Sequence, residues 1–116
     1  MSPAPAPAPA LVALVTTVGS ADDARRLADA AIELRLAACV QIEAIASVYR
    51  WQGAVQHDDE WRLWFKTTTD ALPALRAWLN AAHPYDLPAA FVLDLAAPSA
   101  AFADWVRAET TTASAP

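Results

Sequence analysis

The sequence lacks residues that several classes of protein require. Of its 116 residues one is cysteine, so no internal disulfide forms and nothing points to an oxidising compartment. Only two residues are glycine, and no glycine-rich, lysine-containing phosphate loop is present. No apolar run approaches the roughly 18 residues of a membrane span. The N-terminus lacks the basic and apolar regions of a secretory signal, so we expect a cytoplasmic protein.

Positive charge is also scarce. Eight lysine and arginine residues stand against thirteen aspartate and glutamate residues, for a formal net charge of −5. The cations are scattered and form no basic stripe, which disfavours nucleic acid and anionic membrane as partners. The sequence shows no nucleophile elbow, Cys–His catalytic pair or dense metal motif. We therefore expect no enzymatic activity and no catalytic residues.

Proline, alanine and tryptophan are abundant. Alternating Pro and Ala residues in 1–10 predict a disordered, extended arm that packs on nothing. A second disordered tail is expected over 110–116, which leaves 11–109 as one domain of common size. Alanine inflates the hydrophobic content of 56%, so the ten aromatic residues, five of them Trp, carry much of the apolar area. This aromatic excess in a small chain indicates an interface.

Hydrophobic periodicity predicts four strands and three helices. Their order is β-α-β-β-α-β followed by a terminal helix, which is typical of a ferredoxin-like α+β sandwich. The predicted elements are a strand over 11–17, a helix over 21–35 capped by Ser20, a strand over 38–51, a strand from Val55 or Glu60 to Thr67, a helix capped by Thr69 or Asp70 that ends before His83, a strand over 89–95 and a short helix capped by Ser99.

The second and third strands form a hairpin that is long for such a small domain. The fourteen residues of 38–51, at about 3.3 Å each, reach roughly 46 Å. A compact domain of this size has a radius of gyration of only about 13 Å. Either a bulge near 43–44 interrupts the strand, or another subunit covers it. Its aromatic side chains, Tyr49, Trp51 and Trp64 among them, are typical of an interface.

Five short segments stand out along the chain. They are LAACV at 36–40, SVYRWQG at 47–53, Glu60, Lys66-Thr67 and HPYDLP at 83–88. In this order and spacing they resemble the CutA family of divalent-cation-tolerance proteins, over roughly Leu11 to Glu109. The resemblance implies a ferredoxin-like fold assembled as a tight homotrimer, similar to the PII signalling proteins, whose long hairpins pair between subunits. It also implies a role in tolerance of copper or other divalent metals.

The resemblance makes His83 the predicted metal ligand, for Cu(II) or another divalent cation. Metal-binding members use a strand-one cysteine and paired histidines before the Pro-Tyr dipeptide. The corresponding positions here are Thr16, Ala82 and His83, so only the last keeps a ligand. From the residues alone, His83 has a second interpretation. It caps the second helix, where its N–H groups meet free carbonyls.

The resemblance also places Glu60 in a cleft between subunits. The predicted cleft set is Tyr49, Trp51, Glu60, Lys66 and Tyr85. Lys66, the only lysine, has an alternative role in a salt bridge that fixes the hairpin. Two functions follow. The first is a non-catalytic, homotrimeric CutA-type protein of divalent metal binding or tolerance. The second is a PII-like small-molecule-binding or signalling module that uses inter-subunit clefts, and its unidentified partner is a small-molecule ligand or a protein.

Overall fold

The computed structural model describes residues 7–110, and these form one four-stranded antiparallel sheet with three helices. Counted along the chain, the strands lie across the sheet in the order second, third, first and fourth. This order and the helix positions confirm the predicted ferredoxin-like fold with a C-terminal helix. The elements are β1 Leu11–Val18, α1 Ala21–Glu33, β2 Cys39–Trp51, β3 Ala54–Thr68, α2 Leu72–Ala82, β4 Ala90–Asp94 and α3 Ala100–Glu109.

The two sides of the sheet are covered unequally. On the side that carries Leu14 and Phe65, which we call the helical face, α1 and α2 complete the core through Leu27 and Leu75. The opposite side, which we call the open face, carries Val15, Trp64 and Phe91 in one row across three strands. There α3 packs its buried residues against the β1 end at Leu11. β1 is central, which explains why its apolar run has no polar side.

The helix boundaries follow local chemistry. The Ser20 hydroxyl accepts a hydrogen bond from the Asp23 N–H and caps α1, as predicted. α1 ends at Glu33 rather than at Arg35, because Arg35 adopts a positive φ of 58° that a helix does not allow. α2 begins later than predicted, with Ala71 at its N-cap instead of Thr69 or Asp70. Within residues 7–110 no helix is long and apolar enough to cross a membrane.

The β2–β3 hairpin is uninterrupted. Its residue pairs run without a break from Cys39–Lys66 to Trp51–Ala54, so the predicted bulge near 43–44 is absent. β3 begins at Ala54 because Gln52 and Gly53, with φ of 49° and 80°, make the whole connection. The alternative of a bulge was therefore wrong. The hairpin protrudes from the domain, and the described chain measures 64 × 29 × 23 Å. Coverage by another subunit stays a prediction.

The predicted N-terminal arm overlaps the described residues only at 7–10. The carbonyl of Pro9 accepts a hydrogen bond from Arg107 Nε at 2.9 Å, and the carbonyl of Ala10 accepts one from the Thr69 N–H at 2.9 Å. The expectation that the arm packs on nothing is therefore wrong for these two residues. The rest of the arm, residues 1–6, and residues 111–116 of the predicted tail lie outside the described residues.

Candidate functional site

His83 lies at the end of α2 with its imidazole turned towards β1. Only 8% of the residue is exposed. Its Nε2 is 2.9 Å from the Thr17 carbonyl oxygen and 3.1 Å from Thr16 Oγ1, while its Nδ1 accepts the Tyr85 N–H at 3.0 Å. A carbonyl oxygen can only accept, so Nε2 carries the proton and Nδ1 does not. The ring is a neutral imidazole with both nitrogens hydrogen-bonded.

This arrangement bears on both interpretations of His83. His83 is the C-cap of α2, as the second interpretation predicted, and its backbone N–H donates to the Leu79 carbonyl. Its ring contacts β1 and not the last carbonyls of α2, so only the expected contribution of the ring to the cap was wrong. A metal ion needs a free nitrogen lone pair, and Nδ1 offers one only if the Tyr85 hydrogen bond breaks. Burial lowers the pKa of His83, against the opposing effect of the Thr17 carbonyl. Its role as a metal ligand stays a prediction.

The other predicted ligand positions lie beside His83. Thr16 is fully buried, and its hydroxyl donates to the Ala89 carbonyl at 2.5 Å. It therefore accepts from His83 Nε2 and fills the space between β1 and the segment after α2. Within residues 7–110 no three His, Cys, Asp or Glu side chains come together as a metal-binding group. In a single chain, His83 thus has hydrogen-bonding neighbours rather than further ligands.

Glu60 and Tyr85 meet just beyond the end of β1. Trp61 pairs with Val18, the last residue of β1, so Glu60 is the next residue outward along β3. Glu60 is 8% exposed and accepts a hydrogen bond from the Tyr85 hydroxyl at 3.0 Å. A Cβ at Gly19 would stand 3.0 Å from that hydroxyl oxygen, so glycine permits this close approach. Burial and Glu60 raise the pKa of Tyr85 to about 12, which keeps it a donor at neutral pH.

Tyr49 and Asp58 extend this cluster along the hairpin. The Tyr49 hydroxyl donates to the Asp58 carboxylate across the two strands. That hydrogen bond raises the pKa of Tyr49, and the negative charge of Asp58 contributes to the raised pKa of Tyr85. The structure thus brings together three predicted cleft residues and adds Asp58. The hairpin register is the signal that identifies Asp58. Tyr49 pairs with Gln56, and Asp58 is two residues from Gln56 on the same side of β3.

Lys66 lies apart from this cluster, six residues from Glu60 along β3, which is about 20 Å. Trp51 is two residues from Tyr49 on the same side of β2, but its paired residue, Ala54, is six residues from Glu60. Within the described part of the chain Lys66 makes no ion pair. The salt bridge that joins the hairpin strands is formed instead by Arg62 and Glu43. In one chain, therefore, the five predicted cleft residues do not share a site.

Sequence reasoning missed a cluster on the open face formed by Glu43, Arg62 and Trp64. Glu43 Oε1 accepts hydrogen bonds from Arg62 Nε at 2.6 Å and from Trp64 Nε1 at 2.5 Å. The guanidinium carbon of Arg62 lies 5.5 Å from the centroid of the Trp64 ring. The bond from Arg62, then that from Trp64, holds the pKa of Glu43 below its usual range. The signal was the hairpin register, which pairs Glu43 with Arg62.

The strand order, the two-helix layer and the protruding hairpin define a class, the ferredoxin-like α+β proteins with an extended β2–β3 hairpin. Residues 12–109 match the family model of the CutA1 divalent ion tolerance protein. The chain therefore belongs to the CutA1 family. The divalent-cation tolerance protein CutA of Thermus thermophilus is 44% identical over 98 residues, which cover 84% of this chain and 95% of the relative.

Solved structures agree with this assignment. The structure of CutA from Synechococcus elongatus is 46% identical, with a TM-score of 0.86, and the match covers 90% of this chain and 93% of that one. A second structure of CutA from the same organism, complexed with a Bis-Tris molecule, is 45% identical with a TM-score of 0.82. That match covers 88% of this chain and 95% of the other. The shared fold extends over nearly all of the described residues.

Proposed function

We propose that this chain acts as a non-catalytic homotrimer in cellular tolerance of divalent cations. The observation that supports the proposed assembly is the protruding hairpin, whose apolar side chains are exposed to solvent in a single chain. Val48 is 67% exposed, Val55 52% and Trp51 43%. Exposed apolar patches of this kind mark interaction surfaces. The divalent-cation tolerance role is supported by the family model and by the Thermus thermophilus relative.

Metal binding is proposed to be weak and to depend on assembly. His83 is the predicted ligand for Cu(II) or another divalent cation, but its Nδ1 already accepts the Tyr85 N–H. Stable sites of transition metals use three or four protein ligands, so neighbouring subunits must supply the rest. Because Nδ1 must release a hydrogen bond before it binds metal, the affinity at His83 is reduced by that cost. A cytoplasmic location also remains a proposal, which cell fractionation tests.

Native mass spectrometry at micromolar protein concentration, with and without Cu(II), tests both parts. We expect a trimer mass, and added copper mass in excess Cu(II). His83→Ala should remove the copper mass, whereas His57→Ala, at an exposed histidine of β3, is the matched control and should retain it. A monomer would overturn the assembly proposal. A trimer that gains no copper mass would overturn the binding proposal and leave assembly standing.

A second candidate function is a PII-like module that binds a small molecule in inter-subunit clefts. Two observations favour it. The described chain holds two hydrogen-bonded pairs, Tyr49 with Asp58 and Tyr85 with Glu60, close enough for Asp58 to affect the pKa of Tyr85, and a relative was solved with Bis-Tris bound. Polar side chains of this kind orient a ligand in a largely apolar cleft. Assembly would have to bring Lys66 to the cluster from another subunit.

Thermal unfolding in the presence of Bis-Tris and of a metabolite library tests this second function. A ligand that binds only the folded protein raises the melting temperature. Lys66→Ala should abolish any such increase, while Arg76→Ala, which removes an exposed cation of α2, should leave it unchanged. No increase with any compound, at concentrations up to the millimolar range, would count against the module.

A further inference from the structure

The cluster of Glu43, Arg62 and Trp64 is not used by either proposed function. One carboxylate oxygen, Oε1 of Glu43, receives both N–H groups, at 2.6 Å from Arg62 and 2.5 Å from Trp64. The Arg62 guanidinium also stands over the Trp64 ring, within the roughly 6 Å at which a cation is attracted to an aromatic face. The indole is therefore held at its nitrogen and over its ring.

Stabilisation of the folded chain does not account well for this cluster. The side chains of Arg62 and Glu43 are 37% and 43% exposed. Ion pairs at such exposure contribute little to stability, because water screens the charges. What the contacts do fix is geometry. An indole restrained by two neighbours loses less side-chain freedom when a partner packs on it, and this saving favours association.

Trp64 is a half-buried residue of the open face. In the register of the sheet it pairs with Val15 of β1, which pairs in turn with Phe91 of β4. Val15 is 1% exposed, whereas Phe91 is 51% and Leu93 39% exposed. The row thus joins a restrained tryptophan to large apolar side chains that remain in solvent. Tryptophan and arginine at such positions are the residues that most often dominate interface energetics.

We propose that Glu43 is a positioning residue of the subunit interface, which fixes Trp64 and Arg62 in the orientation that a second copy of this chain meets. This inference rests on the proposed assembly, and the partner is a second copy because the same chain also leaves the apolar side chains of its protruding hairpin uncovered, among them Val48, Trp51 and Val55. Glu43 itself acts through Trp64. The carboxylate orients the indole, and the indole makes the contact.

The test compares Glu43→Ala, Glu43→Gln and a control, Glu33→Ala, at an exposed carboxylate of α1. Dilution experiments measure the concentration at which the oligomer dissociates, and near-ultraviolet circular dichroism follows the tryptophans. The Trp64 contribution is identified as the difference between wild type and Trp64→Phe. We expect Glu43→Ala to raise the dissociation concentration about tenfold or more, as the loss of a charge-assisted hydrogen bond implies, and to remove the Trp64 signal.

Glu43→Gln should recover a large part of both properties, because its amide oxygen still accepts one N–H. An alanine variant that keeps the Trp64 signal, or that loses the signal while assembly is unchanged, would overturn the inference. Weaker assembly with an unchanged signal would also overturn it, since Glu43 would then contact the partner directly. A wild type that is monomeric at every concentration would overturn the proposed assembly instead, and the Trp64 signal would still report whether Glu43 orients the indole.

Discussion

Replacing His83 by alanine should destabilise the folded chain by about 2 kcal/mol at pH 8. The substitution removes the ring that bonds the Thr17 carbonyl at 2.9 Å and the Tyr85 N–H at 3.0 Å. Each of these partly buried groups is left without its partner, at a cost of about 1 kcal/mol, the low end of the range for unsatisfied groups. The Tyr85 hydroxyl should also loosen from Glu60, because His83 fixes the Tyr85 backbone.

Urea unfolding followed by tryptophan fluorescence measures this loss, at one fixed protein concentration because assembly adds to apparent stability. His57→Ala, at an exposed histidine, is the matched control and should change the free energy of unfolding by less than about 0.5 kcal/mol. A His83→Ala protein as stable as wild type would refute the hydrogen-bond assignment. The metal-ligand role would then be the one remaining interpretation of His83.

The same contacts predict how stability depends on pH. Burial lowers the pKa of His83 from its ordinary 6.5, so the folded state binds fewer protons than the unfolded state just below pH 6.5. Stability is therefore full above pH 6.5 and falls as the pH drops towards the folded pKa, by at most about 1.4 kcal/mol per pH unit. His83→Ala should lack this component, so its difference from wild type should shrink on acidification. A difference that grows at pH 5 would contradict the neutral tautomer.

Substitutions at three further positions test the fold and the site. Leu63→Ala, at a fully buried position of the helical face, should lower the free energy of unfolding by about 2–5 kcal/mol in urea, and a loss below 1 kcal/mol would refute its core position. Gly53→Val should cost about 1–2 kcal/mol through its φ of 80° alone, since nothing lies within 4 Å of a Cβ there. Asparagine at the same position should cost less. Tyr85→Phe should cost about 1–2 kcal/mol by leaving Glu60 without its 3.0 Å donor, and an unchanged urea midpoint would place that hydrogen bond in doubt.

Much of the fold is predictable from the local pattern of apolar and polar residues. Alternation along β3 places Leu63 and Phe65 on one side and Trp64 and Lys66 on the other, as the structure confirms. The two-residue connection at 52–53 sets the hairpin register, because its positive φ angles suit a tight turn. Local pattern did not decide whether a bulge interrupts β2. That choice depends on pairing along the whole hairpin, which keeps one register over thirteen pairs.

The candidate site was less predictable, because its contacts join distant parts of the chain. His83 bonds to Thr17, 66 positions away, and only the docking of α2 beside β1 brings the two together. Sequence alone placed His83 at the end of a helix, and from there a helix cap was the local choice. The ring turned to β1 because Thr16 and Thr17 offer it polar partners inside an apolar layer, where an unpaired imidazole would be costly.

The geometry of the predicted cleft decides the order in which the two functions can be tested. Within one chain, the strand spacing puts Lys66 about 20 Å from Glu60, too far for both to contact one small molecule. If both residues bind a ligand, they must come from different subunits. Ligand binding through Lys66 then requires assembly, and a monomeric variant should lose the thermal shift together with its trimer mass. Should a strictly monomeric chain keep a shift that Lys66→Ala removes, the ligand would lie at the base of the hairpin and the inter-subunit cleft would have to be abandoned.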